Sequence, residues 1–166
     1  MCRRWAGILM SVEALHPDVA PLGFLLGVWG GQGIGQYPTI ETFRFGEEIR
    51  FTHVGKPFLF YVQRTWALDD RRPLHAEAGY WRHVGSGRVE LVLAHPTGVT
   101  EVEEGRLDGT SLRLRTLCIA STTTAKRVDA LERDIDVEDG ALTYTVRMAA
   151  VGLGLQRHLS GALTRQ

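Results

Sequence analysis

The chain has 166 residues, which suits one domain with a sizeable core, and its 44% hydrophobic and 23% charged residues are too rich in Leu, Val, Ile and Phe for a disordered chain. Lys plus Arg and Asp plus Glu both number 19, so the formal charge is zero, and no global field draws the chain to nucleic acid or an anionic membrane. The two cysteines, Cys2 and Cys118, suit a reducing compartment, so a cytoplasmic protein is expected, and no run of about 18 apolar residues offers a membrane-spanning helix.

In chain order, MCRRWAGILM places basic residues before a few apolar ones, but Glu13 and His16 interrupt it before a signal-peptide core is complete. Residues 1–16 therefore read as a loose arm ahead of a single domain over 17–166. Asp18, Pro21 and the apolar run Leu22-Gly23-Phe24-Leu25-Leu26 predict one short helical turn, capped by Asp18 and acting as a plug. After Gly27 the pattern has period two, with turn residues at intervals of roughly 8 to 12. Val89, Leu91 and Leu93, then Leu112 and Leu114, then Leu142, Tyr144, Val146 and Met148 each mark an apolar face alternating with a polar one. Asp108-Gly109 and Asp139-Gly140 lie between such runs, where they predict two-residue type I′ hairpins. Strands without long helices between them favour antiparallel neighbours. About ten of them abolish their edges by closing, so an all-β, closed antiparallel barrel around one small ligand is expected.

The first strand region reads Gly27-Val28-Trp29-Gly30-Gly31-Gln32-Gly33-Ile34-Gly35-Gln36, followed by Tyr37-Pro38-Thr39-Ile40. Glycines in a strand serve close backbone approach, at a barrel corner or beside a flat ligand, with Trp29 as an apolar plug. The dinucleotide fingerprint fails because Gln36 stands at its last glycine and no βαβ unit surrounds it. The string G-x-W-x-G-x-G with YPTI, continued by HVGKPF at 53–58, PLHAEAGYWR at 73–82, VELVLAHPTGVTEVEEG at 89–105 and LQRHL at 155–159, resembles the nitrobindins over nearly everything after Gly27. A bare G-x-W also occurs in lipocalins, so the extension through YPTI carries more of the resemblance than the glycines do.

That resemblance implies a lipocalin-like, fatty-acid-binding-protein-like barrel that holds ferric haem b and isomerises peroxynitrite to nitrate. It implies His158 as the proximal iron ligand, since one imidazole leaves the other face open to a small molecule. It implies His75, beside Leu74, on the open side as the catalytic residue. Thr39 and Lys126 would contact the haem from the rim; from the residues themselves, Met148 is a candidate to touch the ring through its polarizable sulfur or simply to pack in the core, and Gly27, Trp29, Gly31 and Gly33 are candidates to lie beside it. Nitric oxide is a second implied ligand, and a homodimer is compatible with the family. Read from its own neighbours alone, a histidine such as His158 is far more often packed or solvent-facing than a metal ligand. Leu155, His158, Leu159, Ala162 and Leu163 form a helical stripe, whereas the resemblance implies the closing strand, and the ligand role requires the strand.

Other motifs carry less. His75-Ala76-Glu77 imitates the H-x-E of zinc deaminases, but their P-C-x-x-C partner is absent, which excludes that hydrolysis. Asp134-Ile135-Asp136 before Asp139-Gly140 misplaces the glycine of a calcium loop. His16, His53, His83 and His95 show no ligand-like spacing and, with Cys118, are left to packed or solvated roles. Two other functions remain open: a nitric oxide sensor or carrier without turnover, and a haem-free carrier of an apolar molecule.

Overall fold

Alternating strand-forming residues broken by turn residues produce ten antiparallel strands in the computed structural model, which describes residues 13–166. They are β1 (Gly27–Tyr37), β2 (Ile40–Thr52), β3 (Leu59–Ala67), β4 (Pro73–His83), β5 (Arg88–Ala94), β6 (Val99–Asp108), β7 (Ser111–Ser121), β8 (Val128–Glu138), β9 (Ala141–Ala150) and β10 (Gln156–Arg165). Each strand pairs with its sequence neighbours and β10 pairs with β1, so the sheet closes and keeps no free edge. The segment with the helical stripe is therefore the closing strand, in register from Trp29↔Arg165 to Gly35↔Leu159. Val89, Leu91, Leu93, Leu112, Leu114, Leu142, Tyr144 and Val146 are buried, as their alternation predicts.

One end of the barrel is shut by a 3₁₀ helix, Pro17–Leu25, whose Val19, Leu22 and Leu25 are fully buried. Burial of each leucine contributes about 2 kcal/mol. The expected cap, Asp18, is displaced: the helix starts at Pro17, which needs no N–H there, so Asp18 falls in the first turn and the His16 ring accepts its N–H at 3.2 Å. Of the expected arm, residues 1–12 lie outside the described residues, and Leu15 packs on the core. Trp29 Nε1 donates to the Leu25 carbonyl at 2.7 Å, and the Arg165 guanidinium donates to Phe24 O at 2.7 Å while stacking 4.2 Å over the Trp29 ring. Among the described residues, no helix is long and apolar enough to cross a membrane.

The two hairpins form, with one difference. Asp139 and Gly140 have φ of 48° and 77° between paired Glu138 and Ala141, as a type I′ turn requires. The other loop is shifted by one residue: Asp108 pairs with Ser111, so Gly109 and Thr110 are central and only Gly109 has positive φ. A β-branched residue resists positive φ, which puts the glycine first, as in a type II′ turn.

The glycines of β1 serve interstrand approach. A Cβ on Gly31 would lie 2.1 Å from the Ala162 carbonyl oxygen and 2.7 Å from Leu163 Cα, backbone atoms that cannot swing away. Gly31→Ala is expected to lower the unfolding free energy by about 3 kcal/mol, read from urea denaturation, and an unchanged midpoint would contradict this seam.

Candidate functional site

At the end away from the helix, the strand ends surround a cavity of about 740 Å³, within the roughly 300–1,000 Å³ of small-molecule pockets. The sheet yields there because β7 and β8 pair only from Ser111↔Asp136 to Arg115↔Glu132. Beyond that, the Thr116 hydroxyl takes over, accepting from Leu131 N at 2.7 Å and donating to Leu131 O at 2.9 Å. Leu74, Met148, Val128, Leu131 and Val146 line the cavity with apolar surface.

His158 enters this cavity through a fault in the ladder. Arg157 pairs with Arg147 and Leu159 with Val146, leaving His158 as the extra residue of a bulge. Strict alternation would put Leu159, Gly161 and Leu163 inward and His158 outward; the bulge turns it in beside Leu159. Its Nδ1 stands 3.2 Å from the Gln36 carbonyl oxygen, so Nδ1 carries the donated proton and Nε2 keeps a free lone pair. The Tyr37 ring meets it edge-on at 5.5 Å between centroids. Tyr37 is itself held by Ala150, whose N–H it accepts at 2.9 Å and whose carbonyl it donates to at 3.2 Å. Burial pulls the His158 pKa down, against the Gln36 bond that raises it, favouring the neutral imidazole a metal ion needs.

His75 rises from β4, nearly half the strand order away from β10. Its backbone is fixed by Thr65, whose hydroxyl accepts from His75 N at 3.0 Å. Its Nε2 lies 3.2 Å from His95 Nδ1, the two rings stack at 5.4 Å, and His95 Nε2 meets Glu101 in a short hydrogen bond. Burial lowers the pKa of His75. Burial lowers that of His95 too, but the Glu101 bond and the charge of Glu77 outweigh it, and the net shift is upward. His95 was left without a role by sequence spacing. The parity of Val89, Leu91 and Leu93 extends to it and was the signal that could have found it.

Below the histidines lies a buried polar layer. Arg133 stands 3.4 Å from Glu77, 3.6 Å from Glu101 and 3.5 Å from Glu103. Burial would raise Glu101, but its bond with His95 and the charge of Arg133 hold it below the usual carboxylate range. Glu103 is pushed up by burial and by Glu101 despite Arg133, and both its oxygens lack a hydrogen-bond partner. Glu47 accepts from Tyr144 at 2.9 Å and from Gln63, yet burial raises its pKa to about 7. The folded chain thus holds this proton to higher pH than the unfolded chain, whose ordinary value is 4.5, so Glu47 costs stability as pH rises between the two and by a constant amount above. Glu47→Gln, which does not titrate, is expected to be more stable than wild type at pH 8 by roughly 2–3 kcal/mol and nearly equal to it at pH 4.5. Urea unfolding at the two pH values measures this, and an equal difference at both would contradict it.

Of the residues singled out in the sequence, His75, His158, Thr39, Lys126, Leu74 and Met148 line the one cavity. Thr39 and Lys126 are exposed at its mouth, joined by Arg127, which sequence reasoning missed and which pairs with Asp129 at 2.6 Å. Gly27, Trp29, Gly31 and Gly33 do not line it. Gly27 begins β1 at the closed end, where Trp29 seals the floor. Gly31 admits the β10 backbone, and Gly33 leaves room for the Phe45 ring, 2.2 Å from where its Cβ would be. Only Phe45 among these contacts reaches the cavity wall.

Comparison with known proteins identifies the family and the fold. The family model described as THAP4-like, heme-binding beta-barrel domain matches residues 18–165. The chain is 51% identical over 156 residues to peroxynitrite isomerase 2 of Mycobacterium ulcerans (strain Agy99), covering 92% of this chain and 97% of that one. It is 52% identical over 156 residues to the peroxynitrite isomerase of Nocardia farcinica (strain IFM 10152), with coverage of 92% and 93%. Its fold is similar to the crystal structure of Rv2717c from M. tuberculosis, with a TM-score of 0.87, 46% identity and coverage of 92% and 99%.

Proposed function

Because this chain belongs to the family of THAP4-like haem-binding β-barrel domains, the family to which its nitrobindin resemblance points, we propose that it holds ferric haem b through His158 and isomerises peroxynitrite to nitrate. The observation that carries the reading is the His158 imidazole, proton on Nδ1 toward Gln36, with Nε2 free in an apolar-walled cavity. Lys126 and Arg127 supply positive charge at the mouth, where propionates would sit. Bound there, haem supplies the iron chemistry for breaking the O–O bond and forming the N–O bond of nitrate, with no atom gained or lost. His158 would hold the iron, the apolar wall would exclude water, and the His75–His95–Glu101 chain places a polar, proton-bearing group on another wall of the same cavity.

Stopped-flow decay of peroxynitrite, with nitrate and nitrite quantified, tests this. Haem-loaded wild type is expected to speed decay and raise the nitrate share, while His75→Ala retains haem and loses about 100-fold of the catalysed rate. A haem-loaded wild type that binds nitric oxide but leaves decay unchanged would instead mark a gas carrier. Tight apolar-ligand binding indifferent to His158, without haem uptake, would mark a lipocalin-like carrier.

A further inference from the structure

We propose that His75, Glu77 and His95 form a second metal site, for a divalent ion of the zinc class, distinct from the position served by His158. The three facing atoms form a triangle: His75 Nε2 to His95 Nδ1 is 3.2 Å, His95 Nδ1 to Glu77 Oε2 is 3.4 Å, and His75 Nε2 to Glu77 Oε2 is 3.9 Å. Two ligands each about 2.0–2.1 Å from a tetrahedral ion stand about 3.3 Å apart, so the triangle is already close to one face of that coordination sphere. His75 and His95 line the cavity while Glu77 is buried beneath them, which leaves the fourth position open to a small molecule, as in catalytic two-His, one-carboxylate sites.

The supporting shell is built as well. His95 donates its other ring nitrogen to Glu101, the carboxylate–histidine arrangement that fixes a metal ligand. Glu77 accepts from the Tyr61 hydroxyl at 2.7 Å and from Arg133 at 3.4 Å through Oε1, which reserves Oε2 for the histidines. The charge balance also favours a cation: Glu77 and Glu101 are buried here against Arg133, the single buried Lys or Arg among the described residues, while burial pushes Glu47 and Glu103 toward their protonated forms. The ion would replace the hydrogen bond between the two rings, with His75 then carrying its proton on Nδ1. These side chains carry the proposal independently of the haem reading, and the ion and that bond are alternative occupants of one place.

The test is calorimetric titration of the full-length, haem-free protein with Zn²⁺, paired with Co²⁺, whose visible absorption reports a four-coordinate site. One ion per chain is expected in wild type and in His158→Ala. Affinity is expected to fall more than about 100-fold in His95→Ala and Glu77→Gln, and about 10- to 100-fold in Glu101→Gln, which removes a supporting partner but no ligand. Circular dichroism establishes folding, and should Glu77→Gln fail to fold, His95→Ala and Glu101→Gln decide. Absence of binding by wild type, binding that survives His95→Ala, or binding lost in His158→Ala overturns the proposal. Haem uptake, read separately from the Soret band in His95→Ala, distinguishes failure here from failure of the haem reading.

Discussion

His158→Ala is expected to leave the barrel folded and to weaken ferric haem binding by at least about 100-fold, since on the proposed reading it removes the imidazole that would bond to the iron. The side chain stands on a bulge and lines the cavity rather than the core cluster. Its loss removes one bond to the Gln36 carbonyl and an edge contact with Tyr37, a stability change of about 1 kcal/mol. Titration with haemin, followed at the Soret band, measures the affinity, and thermal unfolding of the haem-free forms measures the stability. Free imidazole should restore part of the wild-type spectrum by entering the space the ring vacated. A Soret band unchanged by the substitution would remove His158 from the iron and transfer the ligand role to the His75–His95 wall.

Arg133→Ala carries the largest expected cost to the fold. Its guanidinium lies within 3.4–3.6 Å of Glu77, Glu101 and Glu103, all of them buried. Breaking a buried ion group by removing one partner costs about 3–5 kcal/mol, because the remaining charges keep their desolvation penalty without compensation. The loss should shrink as pH falls, because protonation removes the charge that Arg133 no longer compensates. Arg113→Ala is the natural control: its pair with Asp136 at 2.7 Å is half exposed, and such pairs are worth about 0–1 kcal/mol. Urea unfolding of the two variants at neutral and acid pH separates them. A deficit below about 1 kcal/mol in Arg133→Ala would mean that its carboxylates are neutral in the native state.

Much of the architecture is local in origin and can be read along the chain. Period-two patterning places Leu91, Leu93, Leu112, Leu114 and Leu142 in the core, and the absence of helical spacers leads to antiparallel neighbours and closure. The apolar run after Pro21 becomes the plug. The same alternation carries His75 inward with Glu77 and Trp81. The glycines of β1 read equally as sites of close packing or of approach to a flat ligand; their backbones serve strand approach and the closed floor, a use that depends on what β10 and Phe45 bring against them.

The sequence by itself determined the number and amphipathic faces of the strands, the closed barrel and the plugged end, because side-chain direction in a strand repeats every two residues and turn residues mark where it stops. The tertiary structure alone decided which way His158 faces, since one extra residue between Arg157 and Leu159 reverses the parity that the sequence would assign. It alone also brought His75 and Glu77 of β4, His95 after β5, Glu101 and Glu103 of β6, and Arg133 of β8 into one polar cluster at and beneath the cavity wall. Those residues are neighbours only through strand register and barrel closure. Pairing of that kind joins positions far apart in the chain, and no local period encodes it.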